Sequence, residues 1–202
     1  MANAEDKSTK RQIINWAVRL FKERGYNNVS VKDICRLGDI SRGTFYYHFK
    51  SKDEIFDNYF LESEISITDN LNSILGSKSY VDQFDAVFDT FLAQILDAGP
   101  EIMAQVFKRN LDREIRQLAP RESAMWEVYV TILKKAQEAG EIRNPMPVED
   151  LLESFLYLSN GISLIWCNKK GKLDLIGEHA RLFDVVFQAG RRKGGFLTPT
   201  GV

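Results

Sequence analysis

SVKDICRLGDISRGTFYYHFKSK, residues 30–52, predicts two short helices joined by a tight turn. Ser30 can cap the first helix, with Asp33 in the capping-box position three residues on. The Gly38–Asp39 pair ends that helix, because both residues tolerate positive φ, and Ser41 begins the second. This arrangement is typical of a helix-turn-helix, whose second helix lies in the DNA major groove.

The run GTFYYHFKSKD, residues 43–53, closely resembles the signature that ends the DNA-binding domain of TetR/AcrR-family transcriptional regulators. The resemblance is strong over residues 8–60 and is one of layout beyond them. It implies an all-α fold, with an N-terminal three-helix DNA-binding domain followed by a larger helical domain for ligand binding and dimerisation. One departure is visible, since Asp39 stands where the family usually has glycine and places a carboxylate near the phosphates.

Small, basic and aromatic side chains of this stretch are the expected DNA contacts. Arg42 and Thr44 open the second helix and should read base edges, with Gly43 letting the backbone approach closely. The other members should contact or face phosphates, while Phe45 and Phe49 belong to the core. For His48 a structural hydrogen bond is an equally open interpretation. The predicted DNA-binding set is Ser30, Lys32, Ser41, Arg42, Gly43, Thr44, Tyr46, Tyr47, His48 and Lys52.

Charge divides the chain into two parts. Residues 1–52 carry 11 Lys and Arg against 5 Asp and Glu, whereas residues 53–202 carry 16 against 23. A basic head on an acidic body suits a DNA-binding module joined to a part that does not bind DNA. The domains are therefore expected at 1–50 and 51–202. Without a signal peptide or an apolar membrane span in the sequence, the expected location is the cytoplasm.

Apolar spacing of three and four residues predicts helices along the whole chain, about nine in total. Besides the two short helices, the predicted ranges are 8–24, 51 to about 75, 80–98, 101–118, 121–139, 148–168 and 173–189. Trp16 is expected at the edge of the core, and Cys35 and Cys167 as reduced thiols with no disulfide or metal spacing.

The last two predicted helices each carry a seam with alternating steps of three and four residues. Further apolar residues outside the seams predict burial on more than one side. A second copy of the chain supplies that contact most simply, and the resemblance implies dimerisation through these helices; burial within one subunit is the alternative. The predicted dimer interface is Leu151, Phe155, Leu158, Ile162, Ile176, Ala180, Phe183 and Phe187.

Aromatic stripes mark the middle helices. Such stripes are more often plain core than a binding site, but the resemblance implies an inducer cavity there, so both interpretations stay open. The cavity should be mostly apolar, with a few neutral polar groups orienting a small-molecule effector. The predicted ligand-binding set is Phe84, Phe88, Phe91, Gln94, Phe107, Asn110, Trp126 and Tyr129.

No catalytic constellation is found. The two histidines, His48 and His179, form no metal-binding or nucleophile motif, and there is no glycine-rich phosphate loop. We therefore expect no enzyme, no cofactor and no membrane partner. The expected function is a homodimeric repressor that binds a palindromic double-stranded DNA operator and is released by a small apolar ligand. The alternatives are an activator on the same fold and a helical protein-interaction module.

Overall fold

The computed structural model describes residues 2–56, 59, 79–111, 121 and 124–189. Every regular element in these residues is helical, which confirms the all-α prediction. The helices are α1 (Ala2–Arg24), α2 (Val31–Gly38), α3 (Arg42–His48), α4 (Tyr80–Leu111), α5 (Ala124–Glu138), α6 (Val148–Asn168) and α7 (Leu175–Phe187), with a 3-10 turn at Tyr26–Asn28. Of the helix predicted from residue 51 to about 75, most lies outside the described residues.

Helix α4 is interrupted at Gly99, where φ is 82° and ψ is 163°. A residue with a Cβ rarely adopts this backbone conformation, and Pro100 follows with no N–H to continue the helix. The predicted break between residues 98 and 101 is thus confirmed. Helix α6 has the predicted bounds, while α7 begins later than predicted because Asp174 caps it, accepting a hydrogen bond from the Gly177 N–H at 3.0 Å.

Five phenylalanine rings form the centre of the body and join α4, α6 and α7. They are Phe84, Phe88, Phe155, Phe183 and Phe187, all of them essentially without exposed surface. The ring centroids of Phe183 and Phe187 lie 4.5 Å apart, and those of Phe88 and Phe155 lie 5.1 Å apart. Aromatic pairs at such distances add stability beyond the area that they bury. This cluster holds the α6–α7 hairpin against α4.

The head, formed by α1 to α3, meets the body beside the break in α4. The Lys22 ammonium at the end of α1 lies 2.7 Å from the Asp97 carboxylate. Just after the break, Glu101 Oε1 lies 3.0 Å from where a Cβ on Gly25 would be, and Pro100 packs against Gly171 in the α6–α7 turn. The break in α4 therefore lies where the head and the α6–α7 turn come together.

Candidate nucleic-acid interface

Helix α2 begins with the predicted capping box. The Ser30 N–H donates to Asp33 Oδ2 at 2.9 Å, and the Asp33 N–H donates to Ser30 Oγ at 3.3 Å. The Ser30 hydroxyl also donates to the Asp33 carboxylate and lowers its pKa. Ser30 and Lys32 are exposed at this helix start, where free N–H groups favour an anion.

The turn between α2 and α3 depends on two residues with different roles. Asp39 has φ 50°, the predicted left-handed conformation, and the next N–H, that of Ile40, donates to the Cys35 carbonyl at 3.0 Å. Gly38 is required for another reason, since a Cβ there would lie 2.2 Å from the Trp16 ring. Trp16 packs at the edge of the core as predicted, but the sequence contains no local signal that it covers Gly38.

Helix α3 separates a buried side from an exposed side. Phe45 and Phe49 are buried, as predicted. Ser41 caps the helix by accepting a hydrogen bond from the Thr44 N–H at 2.9 Å. The exposed side carries Arg42, Gly43, Tyr46 (54% exposed) and Tyr47 (75% exposed). Two large aromatic side chains left in solvent beside an arginine indicate a surface that another molecule covers.

A groove of about 490 Å³ lies between the start of α2 and the end of α3. Its lining combines the helix start with basic and hydroxyl side chains, which is suitable chemistry for a phosphate group. Lys50 lies in this groove and is exposed, although the predicted set omits it. The lining residues are Asn27, Asn28, Val29, Ser30, Val31, Tyr46, Lys50, Ser51 and Lys52.

Lys52 points inward and is tied to the head by hydrogen bonds, while its phosphate contact stays a prediction. Its ammonium donates to the Tyr26 and Val29 carbonyls, each at 3.0 Å, and lies 4.0 Å from the centre of the Tyr26 ring. The Tyr26 hydroxyl donates to Asp53, and burial together with this bond raises the pKa of Tyr26. Lys52 and Asp53 therefore hold the segment that leads into α2, a contact between residues too distant in sequence to be anticipated.

His48 also turns away from the exposed side of α3. Its side chain is only 6% exposed, and Nδ1 lies 3.7 Å from the Asp6 carboxylate of α1. The phosphate contact of His48 stays a prediction. The low exposure of the ring beside Asp6 favours the structural interpretation that the sequence left open.

The predicted ligand-binding residues fall into two groups. Phe84 and Phe88 belong to the central phenylalanine cluster and have essentially no exposed surface, so the plain-core interpretation applies to them. Tyr129 and Trp126 are nearly buried, and the Tyr129 ring lies 5.2 Å from that of Phe84. The other four are partly exposed along α4, and they are Phe91, Gln94, Phe107 and Asn110.

The predicted dimer interface contains residues that cannot contact a partner. Leu151, Phe155, Phe183 and Phe187 are buried inside the single chain, where three of them belong to the phenylalanine cluster. For the three phenylalanines the prediction is wrong, because they pack on Phe84 of α4 in the same chain. Leu158 is exposed, and the partly exposed members are Ile162, Ile176 and Ala180.

A second apolar surface of the hairpin remains open. We call it the hairpin patch; it consists of Tyr157, Leu158, Leu164, Ile165 and Val185, all between 45% and 70% exposed. Gly161 lies among these residues on α6, and a Cβ added there would meet none of the described residues within 4 Å. Of these residues Leu158 and Ile165 belong to the predicted seam of α6, Leu164 and Val185 are apolar residues predicted outside the seams, and Tyr157 belongs to neither group.

The described part of the chain offers neither a metal site nor a membrane span. Within it, no group of three or more His, Cys, Asp and Glu side chains is placed to hold a metal ion. Likewise, none of the described helices is long and apolar enough to cross a membrane.

Known proteins resemble this chain in its head and along most of its length. Residues 13–59 match the family model described as "Bacterial regulatory proteins, tetR family". The HTH-type transcriptional regulator TtgR of Pseudomonas putida is 26% identical over 192 residues, covering 89% of this chain and 90% of TtgR. The HTH-type transcriptional repressor BepR of Brucella suis is 26% identical over 206 residues, covering 93% of this chain and 94% of BepR.

A solved structure of similar fold adds to these relatives. The crystal structure of Thermus thermophilus FadR, a TetR-family transcriptional repressor in complex with lauroyl-CoA, superimposes with a TM-score of 0.67 at 19% identity, covering 95% of this chain and all of that one. These relatives are regulators and not enzymes, and the exposed side of α3 provides the surface that a DNA-binding regulator needs. Residues 13–59 thus match the head of the tetR family, and over most of its length the chain is similar to transcriptional regulators.

Proposed function

We propose that this regulator is a repressor that binds a palindromic operator as a homodimer and is released by a small apolar ligand. The observation that carries the DNA-binding part is the exposed side of α3, with Arg42 and Thr44 at its start and Tyr46 and Tyr47 along it. The groove with Lys50 beside the start of α2 supplies phosphate contacts at the edge of the same surface. Residues 1–50 act as the DNA-binding domain, and residues 51–202 provide dimerisation and ligand binding.

The hairpin patch is the proposed dimer surface. An exposed apolar surface on two packed helices is costly in water unless another molecule covers it. A glycine inside a helix costs about 1 kcal/mol relative to alanine, and no contact with the residues that the structure describes explains Gly161. Close approach of the same helix from a second copy explains both features. A two-fold dimer then requires a two-fold operator, with half-site centres about 34–36 Å apart for one dimer.

Selection of bound duplexes from a random DNA pool tests the DNA-binding part and yields the operator. We expect the selected site to be an inverted repeat, and we expect the bound protein to protect both halves of it against cleavage. Arg42→Ala should weaken binding to that operator by about 1–3 kcal/mol and relax the preference at one base position of each half-site. Lys135→Ala, an exposed lysine on α5, serves as the control and should change neither. Saturation at one chain on an asymmetric site would contradict the proposal.

The ligand site is proposed along the partly exposed side of α4. Phe91 and Phe107 supply apolar surface on either side of the break, and Asn110 supplies an amide. The Gln94 side chain already donates to the Tyr59 carbonyl at 3.0 Å, which connects this side of α4 to the segment that follows the head. An acyl or aromatic ligand fits this lining, and the FadR repressor of the same fold was crystallised with lauroyl-CoA.

Linkage gives the ligand proposal a direct test. A ligand that lowers operator affinity must itself bind more weakly to the operator-bound dimer, by the same factor. Coupling free energies of about 1–3 kcal/mol correspond to factors of roughly 5–150. Calorimetric titration with lauroyl-CoA, and with a panel of aromatic compounds, should therefore give different affinities with and without the selected operator. Equal affinities for a compound that binds would leave a pocket without a switch.

A further inference from the structure

Three lysines are concentrated in the turn between α6 and α7, within the otherwise acidic body. Lys169, Lys170 and Lys172, which we call the lysine turn, are all exposed. The structure records no ion pair for any of them with the residues that it describes. Residues 53–202 carry 23 acidic against 16 basic side chains, so three uncompensated lysines within four positions are a local reversal of charge.

The backbone of the lysine turn is closely specified. The Lys170 N–H donates to the Cys167 carbonyl at 2.9 Å, the Gly171 N–H to the Trp166 carbonyl at 3.0 Å, and the Lys172 N–H to the Lys169 carbonyl at 3.1 Å. Lys170 has φ 52°, in the left-handed region, where asparagine or glycine costs less than lysine. The turn therefore holds its ammonium groups outward on a structured support.

The lysine turn lies on the side of the body that faces the head. Gly171 packs against Pro100, with 3.4 Å between Pro100 Cγ and the position of a Cβ on Gly171. The neighbouring Glu101 approaches Gly25 at the end of α1. One short chain of contacts thus connects the turn to the end of the first head helix.

Symmetry places two such turns above one duplex, given the dimer of the proposed function. Both heads of a dimer must face the same DNA, so both lysine turns lie on that side of the body as well. The turn also follows the hairpin patch directly, because Lys169 is four residues beyond Ile165, about 6 Å along the helix axis. A dimer through the patch keeps the two turns near the two-fold axis, between the heads.

We propose that the lysine turn is a second DNA-contacting element, which attracts the phosphates at the centre of the operator, between the two half-sites. Its contribution is electrostatic and independent of base sequence, in contrast to the bases read by α3. Each phosphate that a lysine neutralises releases condensed counterions and adds about 0.9 to the salt dependence of the binding constant, expressed as a log–log slope. This inference rests on the proposed homodimer and operator.

The test compares two double variants that remove equal charge. Lys169→Gln with Lys172→Gln alters the lysine turn, and Lys134→Gln with Lys135→Gln alters α5, where Lys135 lies beside the start of α4 at Tyr80. That position is about 28 Å along α4 from its break. Binding of the operator selected by the wild-type chain is measured between about 0.05 and 0.5 M salt, a range over which phosphate contacts change the affinity strongly.

The turn variant should reduce the log–log slope by about two to four, because a dimer loses four lysines. If the variant and the wild type have equal affinities at 1 M salt, a slope lower by two makes the variant bind about a hundredfold more weakly than the wild type at 0.1 M salt. The α5 variant should keep the wild-type slope, and Lys169→Arg with Lys172→Arg should keep it as well. Equal slopes for the turn variant and the wild type, with both still selecting the same operator, would overturn this inference and leave the proposed function intact.

A second measurement locates the contact on the DNA. Replacing the phosphates between the half-sites with uncharged methylphosphonates should lower the operator affinity of the wild-type chain. The same replacement should have little effect on the operator affinity of the turn variant. Equal weakening of both proteins would show that the turn does not act at the operator centre and would overturn the inference. If the chain selects no DNA at all, the proposed function fails, and this inference fails with it.

Discussion

Helix α3 of the head and helix α6 of the body distribute their apolar side chains differently. Helix α3 buries Phe45 on one side and presents Arg42 and the tyrosines on the other. Helix α6 buries Phe155 on one side and exposes Leu158 and Ile165 on the other, so it is apolar on two sides. A helix with one apolar side has only one way to face its own core. A helix with two apolar sides can pack either side on the core of its own chain and the other on a partner. Residue spacing does not show which side takes which role.

The largest expected effect comes from substitutions on the two apolar sides of α6, one of which is buried in the chain and the other exposed. Phe155→Ala removes a ring from the central cluster and should lower the free energy of unfolding by about 3–5 kcal/mol, as measured by chemical denaturation. Leu158→Asp changes a side chain that is 52% exposed in the single chain. It should leave a folded monomer, because it places a charge in the partner contact only.

Analytical ultracentrifugation measures the oligomeric state of the Leu158→Asp variant, and chemical denaturation measures the stability of the Phe155→Ala variant. A Leu158→Asp chain that stays dimeric would exclude the hairpin patch as the interface. A Phe155→Ala chain with unchanged stability would mean that the phenylalanine cluster does not hold the hairpin on α4.

Lys52 and Lys50 give a similar contrast within the head. Lys52→Met keeps the apolar stem but removes the ammonium that bonds the Tyr26 and Val29 carbonyls. Since a hydrogen bond to a charged group contributes about 1.5–3 kcal/mol, stability should fall by that amount, as followed by thermal unfolding. Lys50→Met should leave stability unchanged and reduce the salt slope of DNA binding by about two per dimer. If Lys52→Met instead lowers the salt slope and leaves stability unchanged, Lys52 contacts a phosphate.

The glycines of the two short helices provide the next contrast. Gly38→Ala would force a Cβ into the Trp16 ring and should cost about 1–3 kcal/mol of stability. Gly43→Ala meets only Ser41 Oγ, at 3.4 Å, so it should be neutral or slightly stabilising but should weaken operator binding. Thermal unfolding and mobility shift measure the two effects. Unchanged DNA binding by Gly43→Ala would remove the argument for close backbone approach at α3.

Short-range rules explain which features were predictable. The capping box at Ser30, the left-handed Asp39 and the break at Gly99 are properties of a few adjacent residues, so the sequence predicts them. The roles of Lys52 and His48 depend on carbonyls and a carboxylate that are 23 to 42 positions away, and no periodicity contains that information. The body adds a further ambiguity, because heptad spacing is the same for an intrachain seam as for a dimer seam.

The smallest expected effect concerns His179, which lies between the two sides of the hairpin. The residue is completely buried. Because a carbonyl can only accept, Nδ1–H donates to the Leu175 carbonyl at 2.7 Å. In the neutral ring Nε2 then accepts from the Ser159 hydroxyl at 2.7 Å. Burial lowers the pKa of His179 below its usual 6.5. The unfolded chain therefore binds this proton first as the pH falls.

Stability contributed by neutral His179 should accordingly be complete above about pH 6.5 and decline below it, by at most about 1.4 kcal/mol per pH unit. Chemical denaturation at about pH 7.5 and pH 5.5 measures this loss, in a range that lies above the ordinary carboxylate pKa values of 3.8 and 4.5. His179→Gln can still bond Ser159 but cannot take up a proton, so its stability should change less between the two pH values. If the wild type and the variant lose the same stability, the pH dependence has another origin, and His179 is a purely structural contact of the α6–α7 hairpin.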